Sequence, residues 1–378
     1  MNMPQVKSED ARSAPKSAAD PQSVLRQLLR DMATQFGLEG LPFPVAARNR
    51  GWLKTLDQIC AMEPELGAAL EREKNQGPLG LVNVLASTFK PLLISTGSKP
   101  EQDCAGPSHL LAILKDYRDR NGALIEVTDA LEQMLLASDL DEQLPIGMLA
   151  LPYPSQYVAF GPAARAQLPM SSGDDNRAWV SHGCFCVQSP GKDGLGQIIT
   201  IYVVLVTPDG RNMTLIFLNN TVNDPAMPLK DWVSVMATKR ADVSQALREG
   251  LPLVSYLAKV FLYLGMKEAR VQKLLDHSEL EERLARVEPK KRGKLQRRLT
   301  RLYDKIVVGP NQLPQDLAAA AGQLPGGVTP HWRRGHFRMQ VHGPASKLRK
   351  LLFIRPTLVA AHQLTQSGAL APKSYSAR

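Results

Sequence analysis

Two histidines stand five positions apart within a run of arginines, Pro330-His331-Trp332-Arg333-Arg334-Gly335-His336-Phe337-Arg338. Imidazole titrates near neutral pH, so such a pair can act as general base and general acid in metal-independent RNA cleavage. One ring activates the ribose 2′-hydroxyl, the other protonates the leaving oxygen, and neighbouring guanidiniums stabilise the phosphorane. The same residue types also suit plain recognition of an anion or a peptide, or a structural role. Spacing weighs against catalysis: on a strand, His331 and His336 face opposite sides unless Gly335 bends the chain between them. The residues therefore favour recognition over an enzyme, with Arg333, Arg334 and Arg338 meeting a phosphate or other polyanion and Gly335 serving as the turn.

The elements that must hold these groups follow from periodicity. From His336 the side chains alternate: His336, Arg338, Gln340 and His342 on one face, Phe337, Met339 and Val341 on the other. This is the pattern of a half-buried strand with a cationic outer face. A turn at Gly343-Pro344-Ala345-Ser346 leads to an apolar strand over 351–359, expected to be the more buried arm of a hairpin laid on a sheet. A second cationic element precedes it. Leu295, Leu299, Leu302 and Ile306 share one helical face, ringed by Lys291, Arg292, Lys294, Arg297, Arg298, Arg301 and Lys305. A helix of this charge tracks an RNA backbone with little sequence preference.

Charge distribution reinforces this reading. The 378 residues carry a formal net charge of +10, and no Asp or Glu follows Asp316. Anionic partners are favoured: nucleic acid, ribosome or an acidic protein surface. Four cysteines in a chain of this length do not make a disulfide framework and fit a reducing cytoplasm. His182, Cys184 and Cys186 share a strand face but lack a fourth ligand, so no metal and no cofactor is expected. The longest apolar run, 251–264, is too short to span a bilayer and is broken by Ser255 and Lys259, so no membrane segment is expected.

The fold class read from these patterns is α+β: an N-terminal helical region, then an antiparallel β-sheet domain packed with helices, then a C-terminal β-hairpin. Residues 1–20 and 366–378 read as disordered tails, 21–143 as the helical region, 144–308 as sheet plus helices, and 309–365 as the basic motif and hairpin. Helical patterns fall at 52–62, 64–74, 79–89, 109–118 and 124–136, and a charged helix at 266–287. Strands are expected near 156–160, 179–188, 198–206 and 213–218, with Asp209-Gly210 marking a hairpin.

The C-terminal motif resembles the signature of a family carried by phages and plasmids, the second-numbered type V-A anti-CRISPR family. The matching residues are His331-Trp332-Arg333-Arg334-Gly335-His336-Phe337, then Gly343-Pro344, then Phe353-Ile354-Arg355-Pro356, with Phe337 where tryptophan is frequent. A weaker echo lies in Leu151-Pro152-Tyr153-Pro154-Ser155-Gln156-Tyr157-Val158, while the N-terminal helical region is not visibly shared. The resemblance implies a cytoplasmic protein of a bacterial host that lowers production of a CRISPR effector nuclease. It would do so by recognising the nascent N-terminal peptide of that nuclease at the ribosome, with loss of the mRNA following. By the same resemblance His331, Arg333, Arg334, Gly335, His336 and Arg338 are the leading functional residues, and Tyr153 and Tyr157 are candidates for peptide contact. From the residues alone, an RNA-binding or RNA-cleaving regulator with a non-CRISPR target and a non-catalytic interaction protein remain the alternatives.

Overall fold

The computed structural model describes residues 20–34, 38, 40–94, 105–140, 144–149, 151–168, 178–191, 196–210, 212–238, 243–312, 331–333, 335–355 and 357–359. The N-terminal helices are α1 (Pro21–Thr34), α2 (Phe43–Arg50), α3 (Trp52–Met62), α4 (Pro64–Glu73), α5 (Pro78–Ile94) and α6 (Ala105–Asp119). The remaining helices are α7 (Asp129–Leu136), α8 (Pro162–Gln167), α9 (Leu229–Thr238), α10 (Val243–Leu264), α11 (Asp276–Arg286) and α12 (Pro289–Leu299). A seven-stranded sheet contains β1 (Ala123–Val127), β3 (Ser155–Ala159), β4 (Val180–Pro190), β5 (Gln197–Val206), β6 (Met213–Val222), β7 (Val271–Leu274) and β8 (Lys305–Val308). A three-stranded sheet joins β2 (Ser138–Leu140), β10 (Gly335–His342) and β11 (Leu348–Ile354), and β9 (His331–Arg333) pairs with β12 (Thr357–Val359).

The class is α+β, with N-terminal helices, a large sheet and a C-terminal hairpin, but the large sheet is mixed. Its order is β6, β5, β4, β3, β1, β8, β7, and β1 runs parallel to both β3 and β8. The reason lies in 123–136, where helical periodicity merges two elements. Asn121 at positive φ (50°) and Gly122 end α6, and five residues extend as β1. Thr128 then caps α7, its Oγ1 accepting from the Leu131 N–H at 3.3 Å. A strand followed by a helix returns the chain in its original direction, which gives a parallel neighbour.

Thr128 also donates its own N–H to the Val308 carbonyl at 2.9 Å, fixing α7 against β8. Gly309 follows at φ 114°, and a Cβ there would come within 2.4 Å of the Thr128 hydroxyl. Thr128→Ala should therefore cost about 1 kcal/mol, the usual value of a helix N-cap. Urea unfolding measures it, and an unchanged midpoint would show the cap to be idle.

The central strands are buried on both faces, so they read as continuous apolar runs. Tyr157, Phe185, Val187, Tyr202 and Val204 face the core that α1–α6 cover. Val158, Cys184, Cys186, Ile201 and Val203 face the core built by α7, α9 and α10. Helix α10 carries Leu253, Val254, Tyr256, Leu257, Val260 and Phe261, all buried, as its nearly uniform apolar sequence requires. Arg120 ties helices to sheet: Nη1 donates to the Gln188 carbonyl at 2.9 Å and Nε pairs with Asp116 at 2.8 Å. Burial raises the Asp116 carboxyl to about 6, opposed by the Arg120 charge. No helix among the described residues is long and apolar enough to cross a membrane.

Other departures concern the second half of the chain. The stretch 266–287 is not one helix but β7 followed by α11, whose N-terminus is held by Asp304 accepting from the His277 and Ser278 N–H groups at 3.0 and 3.1 Å. The basic helix stops at Leu299, and Ile306 lies in β8 as part of the core. The hairpin does not pair with the large sheet. β10 runs parallel to β2, through Gly335 with Ser138 and Phe337 with Leu140, and antiparallel to β11. The first arm is the more buried one: Gly335 and Phe337 are enclosed, whereas β11 is exposed from Leu348 to Lys350 and half-buried beyond.

Candidate functional site

The motif spans two antiparallel pairs, β9 with β12 and β10 with β11. In the first, His331 is opposite Val359 and Arg333 opposite Thr357; in the second, His336 is opposite Ile354 and His342 opposite Leu348. Arg334 and Pro356, between the two sets of pairs, lie outside the described residues, as do the side chains of His331 and Arg333. His331 and His336 thus lie in strands of two different sheets, β9 with β12 and β10 with β11 and β2. Gly335 begins β10 in a buried position, its N–H donating to the Ala137 carbonyl at 3.2 Å.

What anchors the hairpin is the odd-numbered face. The Phe337 ring is fully buried and stacks on Phe353, centroids 4.4 Å apart and planes 15° from parallel. Phe353 in turn meets Tyr263 of α10 edge-on at 6.2 Å. On the opposite face His336 is half-buried beside Asp139 of β2, and Arg338, Gln340 and His342 are exposed. Lys350 lies opposite Gln340, and its ammonium is 3.8 Å from Glu268 at a largely exposed site. The structure therefore brings His336 and Arg338 onto one surface and adds Gln340, His342 and Lys350 to it.

β2, absent from the sequence reading, is the support that makes this possible. Lys259, buried within apolar α10, donates from Nζ to the Ser138 carbonyl at 2.8 Å. Glu132, wholly buried in α7, accepts from the Gly161 N–H at 2.8 Å, the Ala163 N–H at 3.1 Å and the Tyr256 hydroxyl at 3.3 Å. Both were visible only as single charges inside apolar runs. Such charges stay buried when hydrogen-bonded, and here they lock α7, α8, α10 and β2 together.

The second cationic element has its own mooring. Lys291 lies in α12. Lys294, Arg297 and Arg298 are exposed along that helix, and Arg301 is exposed in the turn beyond it. Arg292 is half-buried, its Nε donating to the Val287 carbonyl at 2.9 Å. The C-terminal end is capped from α2: Arg48 Nη2 donates to the Leu299 and Leu302 carbonyls at 3.2 and 2.9 Å, and Asn49 Nδ2 to Thr300 at 2.5 Å. A cation at that end also suits the helix dipole. Lys305 does not belong to the cationic surface, because it pairs with Glu126 at 2.6 Å.

Of the tyrosines, Tyr157 is fully buried against Phe185, ring centroids 4.8 Å apart, so it builds the core and offers no surface to a peptide. Tyr153 is half-buried in the bend just ahead of β3 and does present surface. Cys184 and Cys186 are buried with sulfurs 3.8 Å apart, and burial with the nearby Arg165 charge lowers His182 to about 4. Among the described residues no three potential ligands are grouped to hold a metal. A cleft of about 700 Å³ beside α6 is lined by Lys74, Lys115 and Arg120, but each pairs with a carboxylate, Glu71, Asp119 and Asp116 respectively. Its charges are thus already matched.

Over residues 125–361 the chain matches the AcrVA2-like family model, described as the anti-CRISPR type V subtype A2 family. That span runs from β1 through the whole hairpin. Among solved structures it is similar to the crystal structure of AcrVA2, at 16% sequence identity and a TM-score of 0.46, covering 84% of this chain and 99% of that one. No curated protein gives a significant match.

Proposed function

The chain belongs to the AcrVA2-like anti-CRISPR family, and from that premise we propose that it lowers expression of a type V-A CRISPR effector nuclease. It recognises the nascent N-terminal peptide of the nuclease and promotes loss of the mRNA. The observation that carries this reading is the family match over 125–361, which includes the large sheet, β2 and the cationic hairpin together. The partners are the nascent peptide and the mRNA or ribosome. The exposed cations of α12 and of β10 suit approach to a polyanionic surface. Tyr153, rather than Tyr157, is the tyrosine available to a peptide.

The protein acts by recognition, without cleaving RNA itself. Acid–base cleavage needs two imidazoles flanking one phosphate, whereas His331 and His336 lie in strands of two different sheets. Message loss is then the work of host nucleases on a marked transcript.

The test is the transcript level of a type V-A effector nuclease in bacteria, with the protein absent, present, or carrying His336→Ala plus Arg338→Ala at matched soluble abundance. A several-fold fall with wild type, relieved in the double variant, is expected. An unchanged transcript and nuclease level with wild type overturns the proposal. Cleavage of bare RNA by the purified protein would sink the non-catalytic reading.

A further inference from the structure

We infer that the open face of the three-stranded sheet formed by β2, β10 and β11 is a platform for single-stranded RNA. The inference rests on the reading that this protein works at a message, but it is testable with no effector nuclease present.

The face is composed by register. His336, Arg338, Gln340 and His342 project from one side of β10, and Leu348, Lys350, Leu352 and Ile354 face them from β11. Successive same-face residues along a strand are spaced by about 6.7 Å. That repeat is commensurate with phosphates along an extended nucleic-acid strand. Arg338, Gln340, His342 and Lys350 are all exposed. Beneath them Leu352 and Ile354 are half-buried and Leu348 is 52% exposed, giving an apolar floor. The hairpin itself contains no carboxylate. Two acids border the face: Asp139, beside His336 on β2, and Glu268, 3.8 Å from the Lys350 ammonium at a largely exposed site where an RNA phosphate can take its place.

Each side chain has a use toward unpaired RNA. Imidazole rings stack on bases, an amide pairs with base edges, and Arg338 and Lys350 neutralise phosphates. An acidic protein surface would engage the cations but would leave the rings, the amide and the apolar floor without partners. Duplex RNA fits less well, since its deep, narrow major groove does not admit such a ribbon. Lys347 and Arg349, also exposed, extend the charge around the hairpin tip.

The experiment measures binding of the purified full chain to a labelled single-stranded RNA of about a dozen nucleotides, by anisotropy across a salt series, with the same sequence as a duplex for comparison. Wild type should prefer the single strand. Lys350→Ala should weaken binding and reduce the slope of log K against log salt by about 0.7, the value of one phosphate contact on a single strand. His342→Ala should weaken binding about tenfold, on the scale of one lost stack, with the slope unchanged. Both residues are exposed, so neither change touches the core. Equal affinity for the duplex, or variants that bind as wild type does, overturns the platform. So does displacement of the RNA by an acidic polypeptide at equal charge concentration. Transcript loss in cells that survives in a variant no longer binding RNA separates the two readings: the face binds RNA, and the anti-CRISPR reading stands without it.

Discussion

Phe337→Ala should cost about 4 kcal/mol of stability, within the range for truncating a buried phenylalanine. The ring has no exposed surface, stacks on Phe353 at 4.4 Å and reaches α10 through the Phe353–Tyr263 contact. It is also the deepest anchor of an arm whose outer half is in water, so the loss is local before it is global. Amide exchange should therefore accelerate first along β10 and β11, at Gly335 to Met339, while β4 and β5 keep their protection. Phe337→Leu should recover a large part of the loss, because it refills the cavity. A urea midpoint moved by less than the equivalent of about 1 kcal/mol would show that the hairpin is held by its backbone pairing with β2 and not by this ring.

Glu132→Ala ranks beside it. The carboxylate is fully buried and accepts three hydrogen bonds, two from N–H groups at the start of α8 and one from Tyr256. Burial and the adjacent Glu132 raise the Tyr256 phenol well above its ordinary value, so it remains a donor. Removing the acceptor leaves the Gly161 and Ala163 N–H groups and the phenol buried without their partner, a cost of about 3 kcal/mol or more. Glu132→Gln should be little better, because half of the amide presents N–H to a donor. Thermal unfolding of the two variants checks this; a glutamine variant of wild-type stability would mean that one oxygen suffices.

Much of the architecture was legible. The Asp209-Gly210 turn and the apolar runs around it mark β5 and β6, and α3 lies at the residues its periodicity indicated. The alternation from His336 holds where it matters, with Phe337 enclosed and Arg338 exposed. What escaped was set by partners distant in sequence. β1 and β8 are five- and four-residue segments whose strand character comes from pairing with each other, Ile125 with Ile306 and Val127 with Val308. Local periodicity cannot see such a neighbour, and it attached each segment to the helix beside it. β2 is shorter still and exists because Lys259 and Gly335, both far downstream in the chain, meet Ser138. The functional face was half legible for the same reason. Its arginines and histidines stand in one stretch, but Lys350 joins them only through the register of β11.

The pairing of β1 with β8 has a consequence for the order in which the molecule can be made. β1 is synthesised early, between α6 and α7, yet its second neighbour follows α12. A chain still on the ribosome can assemble β3 to β6 as a meander of near neighbours while one edge of β1 stays open. Contacts so far apart in sequence slow folding, and an unpaired edge invites association with other chains. Closure of the sheet thus waits until Val308 has emerged, and with it the Thr128 N–H that seats α7. A protein whose proposed task is to meet another chain during translation acquires its own complete sheet only near the end of its own.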